Sequence, residues 1–171
     1  MRRLLSVCLI CLLCVSFFGC SDDSASKVHV PVKFYYRNID IGYNSEHGVI
    51  SAEIREAGVH QEDYEYLVKL YLQGPTGDLH HDTFPSGTSL QQLTVEDGTV
   101  KIVLDKTFSS LSGHELSIAC AALVRTLQEM TAATTVSISV SEGKLGNSET
   151  LVFGRDDLLY VDNNYSSAGD S

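Results

Sequence analysis

Leu4 to Phe18 is an apolar run interrupted only by Ser6 and Ser16, with Met1-Arg2-Arg3 before it and Gly19-Cys20 after it. A short basic start, an apolar stretch and a small residue in that order read as an export signal, not as part of a fold. The stretch is shorter than the roughly 20 residues a membrane-spanning helix needs. Its removal constrains what can fold: 171 − 19 = 152 residues remain, with Cys20 and Cys120 as the last two of five cysteines. Two cysteines make no disulfide framework. The fold must therefore rest on its hydrophobic core, and a chain near this length buries roughly 70% of its unfolded surface.

Phe17-Phe18-Gly19-Cys20 resembles the lipobox of bacterial lipoproteins, in which cleavage falls between a small residue and a cysteine. The resemblance implies cleavage between Gly19 and Cys20 and lipidation of Cys20. Phe17 and Phe18 depart from the usual Leu and small residue at those places, and Cys8, Cys11 and Cys14 follow bulkier residues. A diacylglyceryl thioether brings two acyl chains, enough to hold a protein on a bilayer persistently. Ser21 to Lys27 is small and polar, as a flexible tether requires. Loss of Arg2 and Arg3 leaves a mature charge of 10 − 22 = −12. So acidic a chain is a poor non-specific binder of nucleic acid, which needs clustered Lys and Arg.

Val30, Val32, Phe34 and Tyr36 alternate with His29, Pro31, Lys33 and Tyr35, the period of a strand. Val49 to Glu56 is a second strand candidate, with Ile50, Ala52 and Ile54 on its apolar face. Gln61 to Gln73 reads as a helix with a stripe of Tyr64, Leu67, Val68 and Tyr71, stopped by Gly74-Pro75. Leu90–Val95 and Thr99–Leu104 flank Asp97-Gly98 and read as a hairpin. Ser112-Gly113-His114-Glu115 has capping-box spacing and opens a second helix that runs to about Met130. Thr135 to Val140 alternates cleanly as a strand, and Leu151–Phe153 and Leu158–Val161 add short ones. The expected fold is α+β: one small, mainly antiparallel or mixed sheet with two helices packed on it.

Three fragments then assemble into a family pattern. The first helix closes as Leu70-Tyr71-Leu72-Gln73-Gly74-Pro75. Phe84-Pro85-Ser86-Gly87-Thr88 leads into a strand, and Val95-Glu96-Asp97-Gly98-Thr99 makes the hairpin. Arg125-Thr126-Leu127 and Val136 to Gly143 complete the order. The stretch from about Val32 to Gly143 resembles the GerMN domain of sporulation and germination lipoproteins. The resemblance makes Gly74, Pro75, Pro85, Gly87, Thr88, Asp97 and Gly98 structural motif residues. It implies an exported, membrane-tethered binding or assembly module.

The chain shows little that points to catalysis. His80-His81-Asp82 is the best metal candidate, yet neighbouring side chains on a strand face opposite ways and rarely chelate together. A polar loop explains them better. His114 sits in the capping box, and His29, His47 and His60 lack a recognisable nucleophile partner. Cys120, on the apolar face of the second helix, reads as a small hydrophobe. Gly74-Pro75-Thr76-Gly77 lacks the Lys of a phosphate loop. The carboxylates around Glu62, Asp63 and Glu65, around Glu96, Asp97 and Asp105, and around Asp156, Asp157 and Asp162 match no calcium loop. Tyr35, Tyr36, Tyr43, Tyr64, Tyr66 and Tyr71 suit an interface or a stacking platform, but a mixture of core and surface positions explains them better.

The expected organisation is a signal peptide over 1–19, a lipidated tether over 20–30, a domain over 31–162 and a disordered tail over 163–171. No cofactor is expected. The expected function is a non-enzymatic binding or assembly lipoprotein, held outside the cell membrane by acylated Cys20, with an envelope protein as partner and no nucleic acid. The alternative is a surface lipoprotein that binds a small ligand or glycan through its tyrosines. A cell-wall hydrolase has the least support.

Overall fold

Phe34 and Tyr36 point inward from β1 (Pro31–Asn38), with no accessible surface, as the two-residue period requires. The structure is a computed structural model and describes residues 31–39 and 48–157. The signal peptide, Gly19, Cys20, the tether, Tyr43, the strand expected over 158–161 and the tail expected over 163–171 lie outside the described residues.

β1 is the middle of a three-stranded antiparallel sheet, between β2 (Ile50–Glu56) and the two-residue β3 (His80–His81). A second sheet has the order β4 (Leu90–Glu96), β5 (Thr99–Leu104), β6 (Thr135–Val140), β7 (Thr150–Phe153). Its β4–β5 and β6–β7 pairs are antiparallel, and β5–β6 is parallel. A parallel pair cannot be joined by a tight turn. The connection is a 3-10 turn at Lys106–Ser110 followed by α2 (Gly113–Thr131). The remaining helix, α1 (Tyr64–Tyr71), lies between β2 and β3 in the chain.

The α+β class, the hairpin and both helices follow the sequence reading, but the strands divide between two sheets where one was expected. Spacing of apolar residues sets a strand's face; it does not say which strands share a sheet. One core serves both sheets. Phe34, Tyr36, Leu67, Tyr71 and Phe84 meet Ile102, Leu104, Phe108, Leu123, Leu127 and Ile138 in a single cluster. Tyr71 is its hinge point, with ring centroids 5.3 Å from Phe34, 5.0 Å from Tyr36 and 5.1 Å from Phe84. Thr126 of α2 is fully buried and accepts a 2.9 Å hydrogen bond from the Tyr35 amide, which pins α2 to β1.

Three local expectations are corrected. α1 starts at Tyr64, not Gln61, because the Asp63 carboxylate caps it by accepting from the Tyr66 amide at 3.0 Å. α2 starts where the capping box placed it, yet Ser112 makes no side-chain cap bond. Gly113 enters at φ +54°, which breaks the box geometry, and Glu115 instead takes Arg37 Nη1 of β1 at 2.7 Å. Third, the buried face of β2 is the polar one. Ser51, Glu53 and Arg55 stand opposite Tyr36, Phe34 and Val32 in the antiparallel register, so they share the inward face. Ile54 is turned out, 65% exposed.

Candidate functional site

The inward polar face of β2 builds a pinned loop. Glu53 accepts from the Thr76 amide at 3.0 Å, the Thr76 hydroxyl at 2.8 Å, the Gly77 amide at 3.1 Å and Arg55 Nε. Burial by itself would raise its pKa. The donors from Arg55, Gly77 and Thr76 outweigh that and bring it down to about 2. The amides of Thr76 and Gly77 are thus already spent on an internal carboxylate. Arg55 lies over the rings of Phe34 and Tyr36, at 5.3 and 5.6 Å, and donates to the Gly74 carbonyl at 2.7 Å. Burial raises the pKa of Tyr36, so its phenol stays protonated as a donor.

His80 sits beside this loop with its side chain almost fully buried, while His81 is exposed. Asn38 Nδ2 donates to the Gly48 carbonyl at 2.8 Å, which turns its Oδ1 toward Ser51, and the Ser51 hydroxyl donates to it. His80 Nε2 therefore donates to Ser51 Oγ, 2.9 Å away. That leaves Nδ1 bare, buried without a hydrogen bond and 3.8 Å from Glu53 Oε2. Ser51, His80 and Glu53 fall in the order of a nucleophile, base and acid. With the Ser51 proton directed at Asn38 Oδ1, the imidazole serves as its donor, and the Glu53 carboxylate already accepts from Thr76, Gly77 and Arg55. Burial lowers the pKa of His80, with Glu53 opposing, and keeps the ring neutral. Among the described residues no group of three or more His, Cys, Asp or Glu side chains is placed to hold a metal ion.

The motif residues predicted from sequence have structural duties. Gly74 has φ +92°, a backbone angle that favours glycine, and a Cβ there would lie 2.8 Å from Asp82 Oδ1, so a larger residue would also have to push that carboxylate aside. Pro75 follows in the same loop. The Pro85 carbonyl accepts from the Thr88 amide at 3.0 Å and the Thr88 hydroxyl at 2.7 Å, with Gly87 inside the turn. Asp97 and Gly98 both have positive φ, the geometry of the tightest hairpin turn. The Gly98 carbonyl also accepts the amides of Thr134 and Thr135 at 2.9 and 3.2 Å, which sets the start of β6. Cys120 is buried and its thiol is pushed up to about 12. Of the tyrosines, Tyr36 and Tyr71 are core residues, Tyr35 lies under the Arg125 guanidinium at 5.5 Å, and Tyr66 stacks on His60 at 4.1 Å.

Sequence reading missed Ser51, Glu53, Arg55 and Thr76. The signal was present in the polar half of β2, which alternates as regularly as the apolar half. Also missed was an open groove of about 690 Å³ between residues 59–65 and β4. The acidic Glu62, Asp63 and Glu65 line it together with Val59, Leu93 and Val95. A second groove of about 530 Å³, beside Pro31, Val32 and Met130, shares Glu62 with the first.

The fold matches solved structures. The tandem GerMN domains of the sporulation protein GerM from Bacillus subtilis align with a TM-score of 0.53 at 19% identity, over 74% of this chain and 46% of that one. The chain thus spans about half of that two-domain structure. The first GerMN domain of the same protein aligns with a TM-score of 0.51 at 12% identity, over 77% of this chain and 98% of that one. A candidate lipoprotein from Clostridium perfringens aligns at 19% identity over 75% of this chain and 89% of that one, with a TM-score of 0.48 that carries no argument. No curated protein matches the chain at a significant level. The family model described as Germane, sporulation and spore germination, matches residues 33–146, which is most of the chain and nearly the whole described domain. The chain belongs to the Germane family of sporulation and spore germination.

Proposed function

We propose that the protein is a lipid-anchored, non-enzymatic binding or assembly module of the bacterial cell envelope that works in sporulation or germination. The observation that carries this reading is the family match over residues 33–146, with the lipobox-like Phe17-Phe18-Gly19-Cys20 ahead of it as support for the anchor. The polar network supports it as well. Glu53, Arg55, Thr76 and Gly77 satisfy one another and hold a loop in place, which is the work of a scaffold. From Cys20 to Pro31 the extended chain reaches at most about 40 Å, so the domain works close to the bilayer. The tyrosine-based glycan reading is weakened by Tyr36 and Tyr71, whose rings are spent in the core.

The test is genetic and chemical. Deletion of the gene is expected to lower the yield of heat-resistant spores or their germination. The Cys20→Ala variant is expected to leave the membrane fraction and to be as defective as the deletion. Intact mass of the membrane-bound protein should show loss of residues 1–19 and a diacylglyceryl group. Normal sporulation and germination in the deletion would remove the role, and a fully functional released variant would remove the need for an anchor.

A further inference from the structure

We propose that the groove between residues 59–65 and β4 is the docking surface for an extended, basic segment of a partner envelope protein; this rests on the binding-module reading above. Its floor is core face left uncovered. Leu93 and Val95 stand opposite Ile102 and Val100 in the antiparallel register, so all four side chains share one face of the sheet. Ile102 and Val100 are fully buried, whereas Val95 is 36% exposed. Across the groove Val59 is 71% exposed. An apolar strip of this kind, at the rim of a packed core, is a place for a partner's aliphatic or aromatic side chain.

The shape selects an extended occupant. β4 is an end strand of its sheet, paired only with β5 among the described residues. An end strand offers a row of backbone donors and acceptors that a second extended segment can match. The groove is an open trough of about 690 Å³, large enough for several side chains and too open to enclose a small molecule. The charge selects the composition. Glu62, Asp63 and Glu65 stand on one rim, and the whole chain carries a net charge of −10. Lys69 reaches Glu65 at 3.3 Å, an exposed pair that a stronger cation can displace. An acidic rim repels anionic lipid headgroups and acidic proteins and favours Lys or Arg placed around an apolar side chain.

The test uses the full-length lipoprotein in its native membranes. A photo-reactive amino acid is placed in turn at Val59 and Val95, and as controls at Ile54 and Val152, which are 65% and 61% exposed on other strands. The expected result is one shared partner adduct at Val59 and Val95, whose crosslinked peptide carries Lys or Arg beside an apolar residue. Glu62→Lys should lower the adduct yield about fivefold or more, and Glu62→Gln should lower it less, at unchanged thermal midpoint. Adducts at Ile54 or Val152 alone would overturn this surface and leave the binding-module reading standing. An adduct on an acidic peptide, or a yield indifferent to Glu62→Lys, would overturn the basic partner. Silence at all four positions would overturn both the surface and the reading beneath it.

Discussion

The Tyr36 hydroxyl donates to the backbone carbonyl of Tyr71 at 2.8 Å, and the Tyr71 hydroxyl donates to the carbonyl of Tyr35 at 2.6 Å. This exchange fastens the end of α1 to the centre of β1 through two buried rings. Removing either hydroxyl takes a donor from a backbone carbonyl, at a cost of about 1 kcal/mol; the Tyr71 carbonyl still keeps the Gly74 amide at 3.2 Å. Tyr36→Phe and Tyr71→Phe should each lower stability by that order in urea denaturation. The double variant should lose less than the sum, since the two bonds brace one joint. Strict additivity would mean that the bonds are independent.

Gly74→Ala should cost more than a typical loop substitution. The new methyl meets Asp82 Oδ1, and φ +92° is itself unfavourable for alanine. A loss of roughly 1–3 kcal/mol is expected. Adding Asp82→Ala should recover only the steric part. Full recovery would show that the backbone angle is of no consequence there.

Stability should fall over two pH windows on acidification. His80 has a folded pKa below its ordinary 6.5, so the folded state resists its protonation, and stability is lost as pH falls below about that value. Glu53 falls from 4.5 to about 2 on folding, so its contribution is full above 4.5 and disappears as pH drops toward 2. Glu53→Gln should be less stable at pH 7 and show a shallower slope below pH 4.5. An unchanged slope would place the acid sensitivity elsewhere.

Ser112→Ala should change stability by less than about 0.5 kcal/mol, because Ser112 makes no side-chain cap bond. Glu115→Gln should cost up to about 1 kcal/mol through the half-exposed Arg37 pair, and the loss should shrink in high salt. A Ser112→Ala loss near the usual cap value of about 1 kcal/mol would restore the capping box.

Cys120 should resist alkylation in the native protein at pH 8, because its thiol is buried and its pKa stands at about 12. Peptide mapping after iodoacetamide should find it unmodified natively and modified in urea. Rapid native labelling would contradict the packed interior of α2.

Periodicity and turn chemistry made the elements legible. The alternation of Val32, Phe34 and Tyr36, the Asp97-Gly98 turn and the α2 stripe through Cys120 and Leu123 are local patterns, and β1, the β4–β5 hairpin and α2 lie where those patterns put them. The capping box failed because Gly113 enters at φ +54° and Glu115 found a partner of full opposite charge, Arg37, far away on β1.

By itself the sequence determined most of the strand and helix segments and the loop-closing glycines at 74 and 98, and it set the expectation of an export signal over residues 1–19. Only the tertiary structure decided which face of β2 turns inward, that Glu53 and Arg55 clamp the Gly74 loop, and that β4 leaves an apolar strip beside acidic Glu62. The reason is physical. An element's period depends on neighbours a few residues away, but register, burial of a polar face and the free edge of a sheet depend on partners far along the chain.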